Sequence, residues 1–517
     1  MANHNLIGLE SMLRSTQDTY SDLGYQSEPF PYTTASFLEA HARLFGLTVA
    51  SAKTAKVLEL GGSYGGNVIT QAFLNQEAHY TVVDLSQEQI KGGQAIVDEL
   101  GLTNIKLVHK NIMDLDESFG KFDYIIAHGL YSWVDDQVKD RVLDTLRDLL
   151  EDHGVAYLSY NTYPAHQTMD EVRQLTLIAN RPHPEAPQRD QVQRAKYVAS
   201  MIGTKIMQYD DLKARNKKFL GALRKVVGQA DYYVGHDHLE IHNDPLYLQE
   251  IADRWEAKGL TYVCDSDLTL SFVDALDKEL AISLAKLAQD DRIGQEQYLD
   301  FLLNTSFRKS ILVKASQDHK KILSQHRGIS SITADVLEQF HFRILEGESI
   351  LDTIPHAPIR EAYQYFIGKE DTFTFDDMLE RMPLAYREDL AAIIATHMIE
   401  GRLAFSCHPS KFVAYQSNQV YVPTETTNFV AALILGAGQG RIVLGTHDNE
   451  AAPYINSIDL EIMSILKEPK LEADILAAME GMPIYDTSQD DYHELSPEEY
   501  LPIGLSHIER LGFFKKK

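Results

Sequence analysis

Small residues follow one apolar run of the sequence at alternate positions, a spacing that suits contact between a ligand and the main chain. The segment VLELGGSYGGN (57–67) leaves its apolar part at Gly61, and Ser63 and Gly65 continue the alternation. Residues of this size let the backbone turn sharply, and they admit a ligand that a larger side chain would block. The segment therefore predicts a binding loop at the end of a buried strand.

Two carboxylates accompany this loop. They help to decide which of two ligands it binds, a dinucleotide or S-adenosylmethionine. Glu59 precedes Gly61 by two residues, where methyltransferases place an acid. Asp84 follows about twenty residues later, where a carboxylate can accept both hydroxyls of a ribose. A dinucleotide would need the pattern G-x-G-x-x-G to bring its pyrophosphate to a helix N-terminus, and Ser63 breaks that pattern. The residues favour S-adenosylmethionine (SAM), with an NAD-dependent oxidoreductase as the alternative.

The predicted cofactor site extends beyond the loop. In HKNIMDL (109–115), Asn111 and Ile112 stand where methyltransferases often place an acid and an apolar residue against adenine. An amide can accept a hydrogen bond from the adenine amine and donate one to a ring nitrogen; the alternative for Asn111 is a turn residue. The predicted cofactor-binding residues are Tyr25, Tyr32, Glu59, Gly61, Ser63, Gly65, Asn67, Asp84, Leu85, Asn111, Ile112 and His128.

Two further apolar runs, FDYIIAHG (122–129) and VAYLSYN (155–161), end near polar and aromatic residues that could meet a methyl acceptor. Aromatic faces attract a sulfonium or an ammonium through cation–π contacts of about 0.5–2 kcal/mol each, although aromatic residues at strand ends also serve simply as pocket walls. Tyr25 and Tyr32 are expected to fold over the cofactor as a lid. The predicted catalytic residues are His128, Tyr131, Tyr160 and Asn161.

The elements that must position these residues alternate between apolar runs and amphipathic stretches from about residue 55 to 161, as in a parallel sheet with helical crossovers. Ligands of such sheets bind beyond the carboxyl ends of the strands, where the strand order reverses. The predicted strands are KVLEL, HYTVVDL, IKLVHKN, FDYIIAHG and VAYLSYN, and the predicted helices are GNVITQAFL, SQEQIKGGQAIVDELG and QVKDRVLDTLRDLLEDHG.

The rest of the chain predicts two more regions. NRPHPEAPQRD (180–190) has the composition of an exposed loop, and helical periodicity dominates from about 190 to 350. Near residue 370, TFDDMLERM, YREDLAAIIATHMIEG and RLAFS give the order helix, helix, strand of a winged-helix unit, which in so acidic a chain favours protein packing. The predicted domains are a SAM-binding α/β domain, a mainly helical regulatory region and a C-terminal winged-helix-like α+β domain, over residues 1–175, 176–365 and 366–517.

Charge and composition disfavour several classes of function. The 517 residues carry a formal net charge of -27, which would repel phosphates, so no nucleic acid partner is expected. Cys264 and Cys407 cannot build a disulfide framework or a thiolate metal site, which suits a reducing cytoplasm. No signal peptide is apparent, and the longest apolar run, from Phe429, is about half of a membrane span. We therefore expect a cytoplasmic protein without membrane insertion.

The segment GHDHLEIHND (235–244) superficially has the spacing of metal ligands. Zinc requires three or four convergent ligands, and adjacent His and Asp residues in a turn before a helix more often form caps and surface contacts. No metal site is therefore predicted for this group, which consists of His236, Asp237, His238 and His242.

Long and unusual strings of the sequence resemble one known family. AHGLYSWV (127–134) and SYNTYP (159–164) resemble motifs of the bacterial class I methyltransferases that carry a methyltransferase regulatory domain. The resemblance covers residues 20–165 and continues more loosely through 235–268, the regulatory segment, and 301–313. This sequence departs from the family where an Asn replaces the common Asp at position 111.

The resemblance implies a class I, Rossmann-like sheet, a dimer, SAM as the cofactor and a protein substrate, because characterised members include protein-lysine methyltransferases that act on outer-membrane proteins. A lysine acceptor is protonated at neutral pH and must lose its proton before attack. His128 and Tyr160 are candidate partners in that step, and Asn161 could orient the amine. The alternatives are a methyltransferase with a small-molecule acceptor and a non-catalytic SAM-binding regulatory protein.

Overall fold

A seven-stranded sheet dominates the first part of the chain in the computed structural model, which describes residues 27–240, 242–325, 328–437, 442–449, 455–486 and 493–517. Its strands are β1 (Lys56–Leu60), β2 (His79–Asp84), β3 (Ile105–His109), β4 (Phe122–Ala127), β5 (Leu150–Asn161), β6 (Leu260–Asp265) and β7 (Phe307–Lys314). They lie in the order β3-β2-β1-β4-β5-β7-β6. Strands β1 to β5 pair in parallel, and β7 runs antiparallel to both of its neighbours. The predicted class I, Rossmann-like sheet is confirmed.

Helices flank the sheet and make up most of the region that follows it. Those before residue 330 are α1 (Ala35–Leu44), α2 (Gly66–Leu74), α3 (Gln87–Glu99), α4 (Asp136–Leu149), α5 (His166–Asn180), α6 (Gln188–Met207), α7 (Asp210–Arg215), α8 (Lys217–Gly228), α9 (Asp231–Leu239), α10 (Leu248–Ala257), α11 (Val273–Leu276), α12 (Lys278–Leu287), α13 (Arg292–Leu303) and α14 (Gln317–Leu323). Those after it are α15 (Ala334–Leu337), α16 (Ala357–Phe366), α17 (Phe375–Leu379), α18 (Arg387–Ile399), α19 (Thr424–Ala437), α20 (Ser457–Ile465), α21 (Glu472–Met479) and α22 (Pro497–Leu511).

The sheet is buried on both faces, which explains why its strands read as nearly continuous apolar runs. Ile126 and Tyr157 belong to the face that packs with residues of α1, α2 and α3. Leu158 and Tyr160 belong to the other face, which packs against α4 and α10. Because successive side chains of a strand point to opposite faces, neighbouring residues of β5 serve different sites.

One predicted boundary is wrong. The helix expected to continue to Gly154 ends at Leu149, and β5 begins at Leu150. Leu150 pairs with Phe122 of β4, and the register then shifts before Tyr124 pairs with Val155. Residues 151–153 are polar and exposed in this bulged start of the strand, as they would be on the outer face of a helix, so pattern alone could not locate the change.

The strands β6 and β7 are an addition that the sequence pattern does not identify. They come from within the predicted regulatory region, 176–365, and extend the sheet beyond β5. Between β5 and β6 the chain passes through helices α5 to α9, of which α5, α6, α8 and α9 share a hydrophobic cluster of their own. The loop predicted at 180–190 is shorter than expected, because α5 ends at Asn180 and α6 begins at Gln188. The three domain boundaries stay predictions.

A small antiparallel sheet with the order β10-β8-β9 belongs to the C-terminal region. It is formed by β8 (His341–Ile344), β9 (Phe373–Thr374) and β10 (Leu403–Ser406), and two short pairs follow: β11 (Val420–Tyr421) with β14 (Lys515–Lys516), and β12 (Tyr485–Asp486) with β13 (His493–Glu494). The expected order helix, helix, strand is present as α17, α18 and β10, and the winged-helix class itself stays a prediction. Among the described helices, α19 included, none has the length and apolarity to cross a bilayer.

Candidate active site

The loop after β1 is held to β2 by main-chain hydrogen bonds. The N–H groups of Gly61 and Gly62 donate to the carbonyl of Val83 at 2.8 and 3.3 Å. Ser63 has a φ of 53°, a left-handed conformation that a serine rarely adopts and that often marks a functional constraint. A Cβ atom on Gly62 would lie 2.7 Å from Oε2 of Glu59, so this position requires glycine. The conformation of the loop is therefore fixed by specific contacts and by a glycine that cannot be replaced without a clash.

Asp84 ends β2 beside this loop, where the sequence predicts it. Its Oδ2 atom accepts a hydrogen bond from the N–H of Ser63 at 2.8 Å, and Oδ1 accepts one from the N–H of Ser86 at 2.8 Å. A carboxylate offers about four lone-pair positions, so each oxygen retains capacity for a ribose hydroxyl. Burial raises the pKa of Asp84, and the main-chain donors oppose that rise.

Glu59 lies beneath the loop and is tied to the first turn of α2. Its Oε1 atom accepts a hydrogen bond of 2.7 Å from Nδ2 of Asn67, and the side chain is buried. Desolvation raises the pKa of Glu59 to about 7, the donor Asn67 lowers it, and the charge of Asp84 raises it further. The acid of the motif thus acts on the loop through Asn67, which the sequence predicts as a cofactor-binding residue.

The residues present at this place fit SAM. Within the described residues, Oγ of Ser63 and Oε2 of Glu59 are buried without a hydrogen-bond partner. Such atoms are uncommon in folded proteins unless a ligand or water satisfies them. The unpartnered hydroxyl of the loop and the spare acceptor capacity of Asp84 match the polar amino-acid and ribose parts of the cofactor.

The residues predicted to contact adenine surround the ends of β2 and β3. Leu85 is exposed directly after Asp84, and Ile112 is partly buried. Asn111 begins a short 3-10 turn, and its Oδ1 atom accepts a hydrogen bond of 2.9 Å from the N–H of Met113. The turn therefore uses the amide oxygen once, which leaves the amide N–H₂ group for the predicted adenine contact. These three contacts stay predictions.

His128 follows β4 and stands in an aromatic pocket. The centroid of its ring lies 4.1 Å from that of Phe30, 5.7 Å from that of Tyr32 and 5.8 Å from that of Tyr157. Phe307 of β7 contacts it edge-on at 5.9 Å. Phe30 and Tyr32 belong to residues 27–33, here called the strap, which precede α1. The pocket is thus formed by the strap, β4, β5 and β7.

The ring of His128 is neutral at physiological pH. Burial, with a further contribution from the charge of Lys309, lowers the pKa of His128 to about 3. Its Nδ1 atom lies 3.0 Å from the hydroxyl of Tyr157 and 3.1 Å from that of Ser159. The Ser159 oxygen also accepts from the N–H of Gly129, so its proton is available to Nδ1. His128 therefore acts as a fixed neutral ring in this state and does not store a proton.

Lys309 is a charged residue of the pocket that sequence reasoning missed. Its Nζ atom lies 4.6 Å from the centroid of the Tyr32 ring, and Lys309 pairs with Ser159 across β5 and β7. No carboxylate of the described residues forms an ion pair with this ammonium. Its charge also contributes to the lowered pKa of His41, which is about 4 and is caused first by burial. Among the described residues, Lys309 is thus a positive charge of the pocket that has no ion-pair partner.

Two of the predicted catalytic residues lie on the face of the sheet opposite His128. Tyr131 is fully buried with residues of α4 and α10, and Tyr160 belongs to the same cluster. The hydroxyl of Tyr160 bonds to Ser310 at 3.0 Å, and its ring meets Trp255 edge-on. Because His128 and Ser159 occupy the opposite face, this placement argues against a contact between either tyrosine and the acceptor.

Asn161 ends β5 on the pocket face and connects it to the regulatory segment. Its Nδ2 atom donates to Oδ1 of Asn243 at 3.0 Å, and the Asn243 amide lies 3.2 Å from Nε2 of His166. Burial lowers the pKa of His166 to about 4. Asn161 is therefore held rigidly through neutral partners, which suits a residue that orients an amine, and that role stays a prediction.

The two predicted lid residues and the histidine segment have different outcomes. Tyr25 lies outside the described residues, whereas Tyr32 packs over Tyr157 with a centroid distance of 6.2 Å.

His236 and His238 are buried within α9 and not in a turn before a helix, which corrects the expected local structure. In the part of the chain that the structure describes, no three side chains of His, Cys, Asp or Glu could hold a metal ion together.

Four pocket residues that the sequence did not predict come from strands β5 and β7. Tyr157 and Ser159 lie within β5, and Phe307 and Lys309 lie within β7. The only usable signal was FLLNTSFRKSILV, whose family resemblance covers β7 without indicating that it joins the sheet. Pairing between β5 and β7 is a long-range contact, so it leaves no local periodicity that would reveal it.

A sheet with this strand order, in which β1 to β5 are parallel and β7 is antiparallel, a small-residue loop after β1 and a carboxylate at the end of β2 together define a class I methyltransferase. Residues 58–156 match the family model described as "Methyltransferase domain", and residues 230–314 match "Predicted methyltransferase regulatory domain". The chain belongs to the bacterial methyltransferases that combine these two domains, and their cofactor is SAM.

Individual proteins are similar to this chain in sequence or in fold. RP789 of Rickettsia prowazekii is 31% identical over 346 residues, which cover 66% of this chain and 58% of that protein. RP028 of the same organism is 31% identical over 254 residues, which cover 48% of this chain and 98% of that protein. The structure of PKMT2 from Rickettsia typhi in complex with AdoHcy superposes with a TM-score of 0.75 at 22% identity, over 95% of this chain and 99% of that chain, and shows the shared fold.

Proposed function

We propose that the protein transfers a methyl group from SAM to the ε-amine of lysine residues in a protein substrate. The observation that carries this proposal is the aromatic pocket around His128, which contains Phe30, Tyr32 and Phe307 and lies at the end of β4. Strand β4 is next to β1, whose loop forms the cofactor site. Aromatic faces attract an ammonium and exclude water, so they would guide a lysine side chain towards the cofactor.

Methyl transfer from a sulfonium is an in-line displacement, and the reactive methyl group is what SAM supplies when bound. The protein has to align the acceptor and keep water out. Asp84 and the loop at Gly61–Gly65 would fix the cofactor, while Phe30 and Tyr32 of the strap would cover both the cofactor and the adjoining acceptor channel. The amide of Asn161 would orient the acceptor amine.

The acceptor amine also has to lose a proton, because the free pKa of lysine is about 10.4. His128 is a poor base for this step, since burial lowers its pKa to about 3. The ammonium of Lys309 would instead favour the neutral form of a second amine placed in the same pocket, and the proton would leave to solvent. In this mechanism a fixed charge, and not a histidine base, prepares the nucleophile.

A protein substrate is supported by the family resemblance, and the fold is shared with PKMT2 from Rickettsia typhi. An outer-membrane protein as acceptor and a homodimeric assembly are parts of the proposal supported by the family resemblance alone. A cytoplasmic location is supported by two free cysteines, Cys264 and Cys407.

Lys309 also favours a second candidate, a small acidic acceptor that would be methylated on a carboxylate or hydroxyl. An unpaired ammonium beside the pocket would attract an anion and would hold it near the cofactor. This candidate predicts labelled small molecules, whereas the lysine proposal predicts labelled ε-amines.

The test is incubation of the full chain with methyl-labelled SAM and a cell-envelope extract, followed by mass spectrometry of proteins and metabolites. We expect label on lysine ε-amines, and none with the variant Asp84→Ala, which lacks the ribose acceptor. Label confined to small molecules would overturn the lysine proposal in favour of the acidic acceptor. Binding of S-adenosylhomocysteine without any transfer would overturn both and would support a regulatory protein.

A further inference from the structure

A segment of the C-terminal region reaches the cofactor end of the methyltransferase sheet. This segment, residues 442–449, is here called the arm. The N–H of Val443 donates to the carbonyl of Ser27 in the strap at 2.9 Å, and Ile442 forms a parallel bridge with Ser27. The hydroxyl of Ser27 in turn accepts from the N–H of Gly66, the first residue of α2, at 2.9 Å. The strap is therefore enclosed between the arm and the helix that follows the cofactor loop.

Asn449 makes the most specific contact of the arm. Its Nδ2 atom lies 3.1 Å from the carbonyl oxygen of Phe30, 3.1 Å from that of Asn67 and 3.3 Å from Oδ1 of Asn67. Asn449 is 2% exposed, and its φ of 58° lies in the left-handed region that asparagine tolerates better than most residues. One buried amide of the C-terminal region thus bonds to the strap and to α2 together.

The partners of Asn449 continue to the acid beneath the loop. Oδ1 of Asn67 accepts from the N–H of Phe30 at 2.9 Å and from the hydroxyl of Thr33 at 3.0 Å. Nδ2 of Asn67 donates to Glu59 at 2.7 Å. The strap is consequently fixed at Phe30 through both its N–H and its carbonyl, and the same residue presents its ring to His128.

Packing along the arm shows the same close fit. A Cβ atom on Gly445 would lie 2.4 Å from Oγ1 of Thr70 in α2, so the arm approaches this helix too closely for any side chain. Asp448, next to Asn449, is anchored within the C-terminal region by Arg343, whose Nη2 atom lies 2.6 Å from its Oδ2 atom. The arm is therefore rigidly connected to the small sheet that contains β8.

We propose that Asn449 is a positioning residue through which the C-terminal region keeps the strap closed over the cofactor. Release of the cofactor then requires the strap to separate from Asn449, or the arm to move with it. Asn449 acts through Asn67 and Phe30 and does not itself touch the reacting atoms. The proposal rests on the SAM site and is independent of the identity of the acceptor.

The test makes the same substitution, asparagine to glycine, at two positions of the full chain. Asn449→Gly removes the amide and keeps the left-handed backbone available, and Asn418→Gly does the same at an exposed asparagine with a φ of 57°. The measurement is the dissociation rate of S-adenosylhomocysteine by stopped-flow competition. We expect dissociation about tenfold faster for Asn449→Gly, as for the loss of a buried hydrogen bond, and an unchanged rate for Asn418→Gly. Equal rates for the two variants would overturn the proposal.

A second measurement uses the unmodified protein and does not depend on how the variants fold. Hydrogen exchange is followed for peptides from residues 27–33 and 442–449 with and without S-adenosylhomocysteine. If the strap and the arm close together, the ligand slows exchange in both segments, because coupling between sites is reciprocal. Slower exchange in the strap alone would contradict a role for the arm.

Discussion

The Nζ atom of Lys309 lies 4.6 Å from the centroid of the Tyr32 ring, although the two residues stand far apart in the chain. Strand β7 places Lys309 beside Ser159 of β5, and the strap places Tyr32 over Tyr157 on the same face of the sheet. A positive charge therefore stands beside the pocket in which the proposed mechanism brings a lysine to the cofactor. The effect of this charge on the pKa of the acceptor amine can be measured from the pH dependence of kcat.

Replacing Lys309 by methionine is expected to move the acid limb of the kcat–pH profile to higher pH by about one unit, because the acceptor amine loses the neighbouring charge that favours its neutral form. Near pH 7.5 the rate would fall about tenfold, and at pH 10 it would approach that of the unmodified protein. The other groups facing this ammonium are Tyr32, His41, His128 and Asp265. The profile is measured with an acceptor identified by labelling.

The control for this variant is Lys314→Met, because Lys314 lies in the same strand and pairs with the exposed Asp152. Its profile should coincide with that of the unmodified protein. If Lys309→Met instead raised KM for an acidic small molecule and left the kcat–pH profile unchanged, Lys309 would be an anion-binding residue.

Asp84→Asn is expected to weaken binding of S-adenosylhomocysteine about 10- to 100-fold, because an amide offers a single acceptor oxygen where the carboxylate has two. In the folded protein both oxygens already accept from main-chain N–H groups, at Ser63 and Ser86. Isothermal titration calorimetry measures the dissociation constant. Asp116→Asn, at an exposed turn, is the matched control, and equal affinities for the two variants would exclude Asp84 from the ribose contact.

Tyr32→Leu is expected to lower kcat/KM about tenfold through loss of an aromatic face, whereas Tyr32→Phe should retain most of the activity. Tyr131→Phe serves as the comparison on the other face of the sheet and should leave kcat/KM within about threefold. Steady-state rates of label transfer decide between these outcomes. If Tyr131→Phe were the more damaging variant, the assignment of the two faces would fail.

Glu59→Gln is expected to change how stability depends on pH. Burial raises the pKa of Glu59 from 4.5 to about 7, so its protonated form favours the folded state. That contribution is complete below about pH 4.5 and is lost as the pH rises through about 7, with a total of about 3 kcal/mol. The Tm of the variant should therefore exceed that of the unmodified protein increasingly between pH 5 and pH 7. Glu117→Gln, at an exposed carboxylate, should show no such trend.

The cofactor half of the site could be predicted because local rules define it. The loop at Gly61, the acid at Asp84 and the alternation of strands and helices each depend on neighbours in sequence, and the structure places them where the pattern requires. Asn67 is also among the predicted cofactor-binding residues, and its hydrogen bond to Glu59 is a feature that the pattern does not indicate.

The proposed acceptor half could not be predicted, because its residues meet only through long-range pairing. Tyr131 and Tyr160 are predicted from their position near strand ends. Side-chain alternation along β5 directs Tyr160 to the opposite face, and Tyr131 lies in a short 3-10 turn after β4 and packs into the same cluster. Phe307, Lys309 and Asn449 reach the site from β7 and from the C-terminal arm, and the order in which distant segments join a sheet is not encoded in any short window of sequence.

The late position of β7 in the chain has a consequence for biosynthesis. Strand β5 pairs with β7 along Ala156–Asn161, yet helices α5 to α9 and strand β6 are all made between them. While the chain is being synthesised, β5 is an unpaired edge with exposed main-chain groups, and such edges recruit other strands. We expect nascent chains that end before residue 307 to require a chaperone, and the completed chain to release it once β7 has docked.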